Sequence, residues 1–351
     1  MQSKYYLEVA LPLPLHRSFT YCHDTPVETG CRVMVPFNGR KLQGVVLAMS
    51  EQAPEGFTAK PIIRQLDQEP LLDTRLMQLA QWMAGMYFAS YGECLSLMTP
   101  GAKESRAIPA LGSSEADFES SPHALSDAQA SAVKRILEAG QGRFYLHGVT
   151  GSGKTEVFLQ IAEQVLAQGK GIIYLVPEIA LTHQVSRMLQ SRFGHTAAVL
   201  HSRMTPSQRL GEWRRILDGS ARMVIGARSA VFAPVQQLGL IILDEEHEGA
   251  YKSADRPRYH ARQVAMKRCI LEQAMLIMGS ATPSVEAMHL MESGDLERLG
   301  LPERISGGKM PAISIVDMRK EKNVLSRRLV QSMHETLDSN RQVILFLNRR
   351  G

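Results

Sequence analysis

The octapeptide Gly148-Val149-Thr150-Gly151-Ser152-Gly153-Lys154-Thr155 constrains this chain more than any other stretch. It fits G-x-x-x-x-G-K-[ST], with an apolar run, Phe144–His147, before it and a helix-forming stretch after it. A strand that turns through glycines into a helix gathers backbone N–H groups and the positive helix end at one point, which makes an anion cradle. Lys154 would reach the β- and γ-phosphates of a nucleotide, and the Thr155 hydroxyl would ligate Mg²⁺. Such a loop requires a parallel sheet behind it. From Leu125 onward the chain supplies one, alternating amphipathic helices with the strand candidates Phe144–His147, Ile172–Val176, Ala198–His201, Met223–Gly226, Leu240–Leu243, Met275–Gly279 and Ser314–Asp317. The predicted fold class is α/β, a parallel-sheet P-loop lobe over 126–335. The run Gln342–Leu347 reads as a further buried strand, so 336–351 is expected to open a second lobe that is incomplete here.

The first hundred residues have a different texture. Cys31–Val35 and Gln43–Leu47 read as strands around turn material at Pro36–Gly39, and Leu76, Leu79, Ala80, Met83 and Tyr87 recur at helical spacing over Thr74–Tyr87. This predicts a small β-rich domain over 1–100 closed by one helix. Residues 101–125 are rich in Ser, Gly, Pro and Glu without periodicity, which marks a linker. Residues 1–105 hold nine Lys/Arg and ten Asp/Glu, whereas the remainder holds 31 basic and 25 acidic residues. That balance is compatible with a polyanionic partner and equally with an ordinary solvated surface. Hydrophobic residues at 44% supply a core, and no apolar run approaches the roughly 18 residues of a membrane span. Cys22, Cys31, Cys94 and Cys269 form no C-x-x-C pair, which argues against a disulfide framework or structural zinc. The expectation is a soluble, cytoplasmic protein with no membrane partner.

Asp244-Glu245-Glu246-His247 follows the apolar strand Leu240–Leu243, which delivers the carboxylates to the carboxyl edge of the sheet. Adjacent acids repel unless a cation sits there, and nucleotide-bound Mg²⁺ is the natural one. Asp244 would hold the metal and Glu245 would orient and deprotonate the attacking water, while Glu246 reads as a solvated turn residue. Gly279-Ser280-Ala281-Thr282-Pro283 ends another apolar strand. Taken singly it is a simple turn; after the other two motifs, Ser280, Thr282 and His247 become candidates to couple the nucleotide site to motion elsewhere. Between 251 and 262, Tyr251 and Tyr259 interleave with Lys252, Arg256, Arg258 and Arg262, a pattern suited to stacking on bases and tracking a single-stranded backbone. The competing reading is a solvated basic loop with core tyrosines. Arg228 and Ser229 offer a second contact.

Together these motifs resemble superfamily 2 helicases. Val176-Pro-Glu-Ile-Ala-Leu-Thr182, Leu200-His-Ser202, Gly226-Ala-Arg-Ser-Ala-Val-Phe232, the acidic box and Tyr259-His-Ala-Arg262 narrow the resemblance to the PriA family of replication-restart helicases. Leu125–Gln129, Val9–Pro14, Gly30–Phe37 and Phe346–Gly351 resemble further family segments. The resemblance implies that Gln129 reads the adenine edge and that 1–100 binds the 3′ end of a nascent strand, with Phe19 for a terminal base and Lys60 for a phosphate. For Phe19 the reading as an ordinary buried aromatic stays open. The resemblance further implies ATP-driven 3′-to-5′ unwinding at stalled or repaired forks, with forked and single-stranded DNA, single-stranded-DNA-binding protein and other primosome proteins as partners. It also implies a zinc module in the second lobe, whose ligands this chain lacks. Thr20 stands where the family commonly has an acid, Asn38 where glycine is usual, and the linker is too short for the family's winged helix. The expectation for this chain by itself is ATP binding without unwinding, and the alternative is a non-catalytic ATP- and DNA-binding fragment. A P-loop small-molecule kinase is disfavoured by the acidic and Ser-Ala-Thr boxes.

Overall fold

Short strands with turn residues between them fold into one sheet, and the long apolar runs after residue 140 fold into a second, wholly parallel one. The computed structural model describes residues 4–102, 124–177, 192–305, 312–321 and 323–346. Most of the expected linker lies outside them, as do 178–182 and 347–351 of the family-like segments.

The first sheet comprises β1 (Tyr5–Ala10), β2 (Phe19–His23), β3 (Arg32–Phe37), β4 (Arg40–Ser50), β5 (Lys60–Pro61) and β6 (Arg64–Gln65), in the order β5-β2-β1-β4-β3-β6. The β3–β4 turn is left-handed at both Asn38 (φ 44°) and Gly39 (φ 74°). Asparagine tolerates that backbone, so the usual glycine is dispensable at 38. Leu7, Val9, Val33, Val35 and Val46 pack the inner face. Arg32 is wholly buried and forks onto Asp67, with Nε–Oδ2 and Nη2–Oδ1 both at 2.8 Å. Its Nη1 donates to the carbonyls of Pro100 and Ala102, which pins the module's exit.

Two helices close this module where one was expected. Asp73 caps α1 (Thr74–Met86), and a Ser90/Glu93 capping box starts α2 (Tyr91–Met98). A Cβ on Gly92 would lie 1.8 Å from the Leu11 carbonyl oxygen, so α2 can approach the end of β1 only with glycine there.

The second sheet comprises β7 (Arg143–Gly148), β8 (Gly171–Leu175), β9 (Ala197–Leu200), β10 (Met223–Gly226), β11 (Leu238–Asp244), β12 (Met275–Ser280) and β13 (Glu297–Leu301). All are parallel, in the order β13-β7-β12-β11-β8-β10-β9. Helices α3 (Asp127–Ala139), α4 (Lys154–Ala167), α5 (Pro206–Leu217), α6 (Ala261–Glu272) and α7 (Val285–Glu292) complete the α/β architecture. Side chains alternate strictly. Ile172, Tyr174, Leu240 and Ile242 join Phe158 and Ile161 of α4 in one apolar cluster. Ile173, Leu175, Ile241 and Leu243 join Val264 of α6 in another, which also takes in Leu79 and Met83 of α1. The N-terminal module therefore shares a core with the parallel sheet, and both lie in one unit, 1–306.

Two expected strands do not form. Residues 312–317 and 341–346 are irregular, and Ile315, Ile344 and Phe346 are exposed. A strand needs a neighbour for its backbone groups, and among the described residues neither segment has one. The outer place in the sheet goes instead to β13, which pattern reading misses. It is an edge strand of alternating burial carrying Glu297, Arg298 and Gly300 rather than an apolar run. The second unit, 307–351, contains α8 (Arg327–Asp338), capped by Ser326.

Candidate functional site

Three motifs meet at the carboxyl edge because their strands are neighbours: β7 ends in the glycine loop, β12 in Ser280, and β11 in Asp244. Gly151 (φ 82°) and Gly153 (φ 74°) take left-handed backbone that L side chains avoid, which turns the chain back into α4. No side chain caps α4, so its first N–H groups remain for an anion. Lys154 is buried, and its Nζ donates to the Gly148 carbonyl at 2.9 Å. Ser152 Oγ is buried without a partner, a polar atom awaiting one. The end of β13 and the strap beyond it hold the loop from outside: the Val149 N–H donates to Leu301 O (3.3 Å) and the Ile305 N–H to Gly151 O (3.0 Å). Thr150 lies exposed on the rim.

Gln129 is more engaged than expected for a residue that reads an adenine edge. Its Oε1 accepts from the Ser126 N–H (2.8 Å) and its Nε2 donates to Ser152 O (2.9 Å), so its amide braces the glycine loop against α3. The structure adds Tyr174, which sequence reasoning overlooked. Its phenol donates to Asp244 Oδ2, a candidate Mg²⁺ ligand, at 2.9 Å. Burial lifts the Asp244 carboxyl to about 6, and donation from Tyr174 opposes that rise. The hydroxyl-plus-carboxylate donor set suits a hard cation, and with the orphaned Ser152 hydroxyl it fits a magnesium nucleotide. Among the described residues no group of three His, Cys, Asp or Glu side chains could hold a metal by itself.

The acidic box divides its labour. Glu245 (φ 46°) accepts from Ser280 Oγ at 3.2 Å; His247 Nδ1 lies 2.6 Å from the same oxygen, and the Thr282 N–H donates to it at 3.1 Å. Glu246 departs from the solvated-turn expectation. It is buried, pairs with Arg262, and accepts from Ser284 Oγ (2.8 Å) and the Tyr145 phenol (3.3 Å).

The interleaved loop also differs from expectation. Tyr251 and Tyr259 are each 1% exposed. Tyr251 donates to the carbonyls of Asp244 (2.6 Å) and Leu175 (3.0 Å), while Tyr259 packs on Phe232 beneath the Arg228 guanidinium. Neither ring offers a face for a base, and Arg262 is committed to Glu246. The loop's apolar neighbours claim the rings, which leaves Lys252, Arg256 and Arg258 exposed. Beside it a cavity of about 140 Å³ is lined by His201, Ser202, Arg209, Arg228 and Ser229, among others. Arg228 Nε is buried without a partner, and Arg209, unremarked in the sequence, reaches Ser229 Oγ at 3.4 Å. In the N-terminal module, Phe19 is half-buried edge-on to Phe37 (5.0 Å) with Arg17 over its ring, and Lys60 is exposed on the strand paired with β2.

Two family models and several curated relatives match the chain. The 3′DNA-binding domain (3′BD) family matches residues 8–100, and the DEAD/DEAH box helicase family matches 126–290. The replication restart protein PriA of Treponema pallidum is 48% identical over 99% of this chain and 54% of its own length. That of Bacillus subtilis is 44% identical over 66% of this chain and 30% of its own. A structure of RecG bound to a three-way DNA junction shares 22% identity at a TM-score of 0.40, over 68% of this chain and 30% of that one. No helix among the described residues is long and apolar enough to cross a membrane.

Proposed function

Because the chain belongs to the PriA family of replication-restart proteins, we propose that it carries the ATP-binding lobe of a 3′-to-5′ DNA helicase together with a module for DNA 3′ ends. The chain spans about half the length of the curated relatives it matches. Unwinding of stalled or repaired forks, and work with single-stranded-DNA-binding protein and other primosome proteins, are accordingly assigned to the whole motor.

The observation that carries this reading is the meeting of Lys154, Asp244 and Ser280 at the ends of three adjacent strands. Lys154 exchanges its loop carbonyl for phosphate oxygens, and the unpartnered Ser152 hydroxyl and first N–H groups of α4 gain acceptors. Thr155 and Asp244 hold magnesium, which when bound neutralises charge on the phosphates. Glu245, steadied by Ser280, takes the proton of the attacking water. Rearrangement at Ser280 passes to Ser284 on the same loop, and from there through Glu246 and Arg262 toward the basic loop. Arg209 and Arg228 bind a DNA phosphate in their cavity, Lys252, Arg256 and Arg258 track the strand outside it, and Phe19 with Lys60 serves the 3′ end. The test is calorimetric titration with ATP·Mg: Lys154→Ala lowers affinity tenfold or more, about 1.4 kcal/mol. Unchanged affinity would overturn the assignment.

A further inference from the structure

The buried tyrosines leave the basic loop with cations but no aromatic face of its own. The N-terminal module supplies one. Between α1 and α2, Tyr87 turns its hydroxyl onto the motor lobe, donating to Gln263 Oε1 at 2.7 Å and accepting from the His260 N–H at 3.3 Å. Lys252 Nζ stands 5.6 Å over the Tyr87 ring and donates to the Arg258 carbonyl at 2.5 Å. The corner is thereby pinned to the loop. The next residue, Phe88, is 85% exposed with φ 50°. It occupies the position after a helix C-cap where glycine or asparagine is the unstrained choice. A bulky aromatic in left-handed backbone with its ring turned to water is costly on both counts, and packing offsets little of that cost. Adjacent Cα atoms are about 3.8 Å apart, so Phe88 leaves the backbone next to the residue whose ring Lys252 covers.

We propose that Phe88 is the base-stacking platform for single-stranded DNA whose phosphates are tracked by Lys252, Arg256 and Arg258, so that the N-terminal module and the motor lobe build one strand-binding surface. Exposed rings beside cations bind single strands without sequence preference, because every base has a π-face. Tyr87, the neighbour of Phe88, ties that corner to Gln263, His260 and Lys252 of the motor lobe. This rests on the proposed DNA-binding role of the basic loop, and the test separates the two.

Binding of a labelled oligo-dT is measured by fluorescence anisotropy for the full chain and three variants. Phe88→Gly relieves the backbone while deleting the ring, so it retains or raises the melting temperature and still weakens binding at least about fivefold. On an abasic oligomer of equal length, Phe88→Gly and the parent bind alike. Phe88→Trp restores affinity, and its added fluorescence is quenched by oligo-dT. Equal oligo-dT affinity of Phe88→Gly and the parent, or no quenching of Phe88→Trp, would overturn the platform. The double variant Arg256→Ala/Arg258→Ala is the control for the underlying reading: unchanged binding there removes the loop from DNA contact, and the platform falls with it. Weaker binding there with an unaffected Phe88→Gly rejects the platform alone.

Discussion

Among the buried arginine–carboxylate pairs of the described residues, Arg32–Asp67 and Arg262–Glu246 keep different company. Arg32 and Asp67 meet inside the N-terminal module, where the other partners of Arg32 are the backbone carbonyls of Pro100 and Ala102. Arg262 and Glu246 meet behind the acidic box. There Glu246 also accepts from Tyr145 and Ser284, and Arg262 reaches Ser284 Oγ at 2.6 Å. The first pair ties the chain to itself. The second ties the end of β11, the loop after β12 and the start of α6, the three segments to which the proposed function assigns nucleotide and DNA chemistry. A buried pair adds little net stability over an apolar replacement, but losing one partner strands a charge. The neighbours of each pair, rather than its geometry, therefore tell what it does.

The largest effect falls on the structural pair. Arg32→Ala leaves Asp67 buried without its fork, and the loss is about 3–5 kcal/mol, read as a lowered melting temperature. ATP·Mg affinity of the folded fraction, measured well below that temperature, stays at the parent value. A melting temperature equal to the parent's would break the comparison at its first term. Arg262→Ala costs less, about 1.5–3 kcal/mol, because Glu246 keeps the Ser284 and Tyr145 donors. Its distinguishing effect is functional: stimulation of ATP hydrolysis by single-stranded DNA drops at least tenfold while unstimulated hydrolysis persists. If stimulation survives, this pair is no different in kind from Arg32–Asp67.

What the sequence reveals follows the same division. Leu240-Ile-Ile-Leu243 is legible as a central strand because both its faces are buried, and with it the position of Asp244 at the strand end. The glycine loop is legible because its backbone demands particular residues. β13 is not, since an edge strand with Arg298 and Gly300 has no apolar signature. Ser314–Asp317 and Gln342–Leu347 look like strands by content, but pairing is a tertiary fact that composition does not contain. The same holds for the loop chemistry. Tyr251 and Lys252 are neighbours in an aperiodic segment, so nothing in their order says that the ring turns inward and the amine outward. Glu246 sits in a run of acids identical in type to its neighbours, and only the fold buries it. Asp67 gave no motif at all, and Arg32 lies in the family-like Gly30–Phe37 segment with nothing to mark it as a buried ion-pair partner. A signal for Tyr174 did exist: a single phenol within the apolar run of β8 must find a partner when buried.

The smallest predicted effect tests that phenol. Tyr174 is fully buried, and burial pushes its own ionisation well above the ordinary tyrosine range, so it stays a donor at working pH. Its hydrogen bond favours the charged form of Asp244, against the burial that has lifted that carboxyl to about 6. Tyr174→Phe keeps the ring's packing against Phe158 and removes only the hydroxyl. One net hydrogen bond is worth about 1 kcal/mol, so the melting temperature falls by a few degrees, less than for either arginine. The site responds in a second way. Without the donor, Asp244 rises further and a larger share is protonated at a given pH, which removes negative charge from the cation's place. ATP·Mg affinity in Tyr174→Phe is consequently several-fold weaker near pH 6 and approaches the parent value as the pH is raised toward 8. Calorimetric titrations of both proteins across that range read the difference. Equal affinities at pH 6 would show that Tyr174 belongs with Arg32, a residue that builds the fold and leaves the chemistry alone.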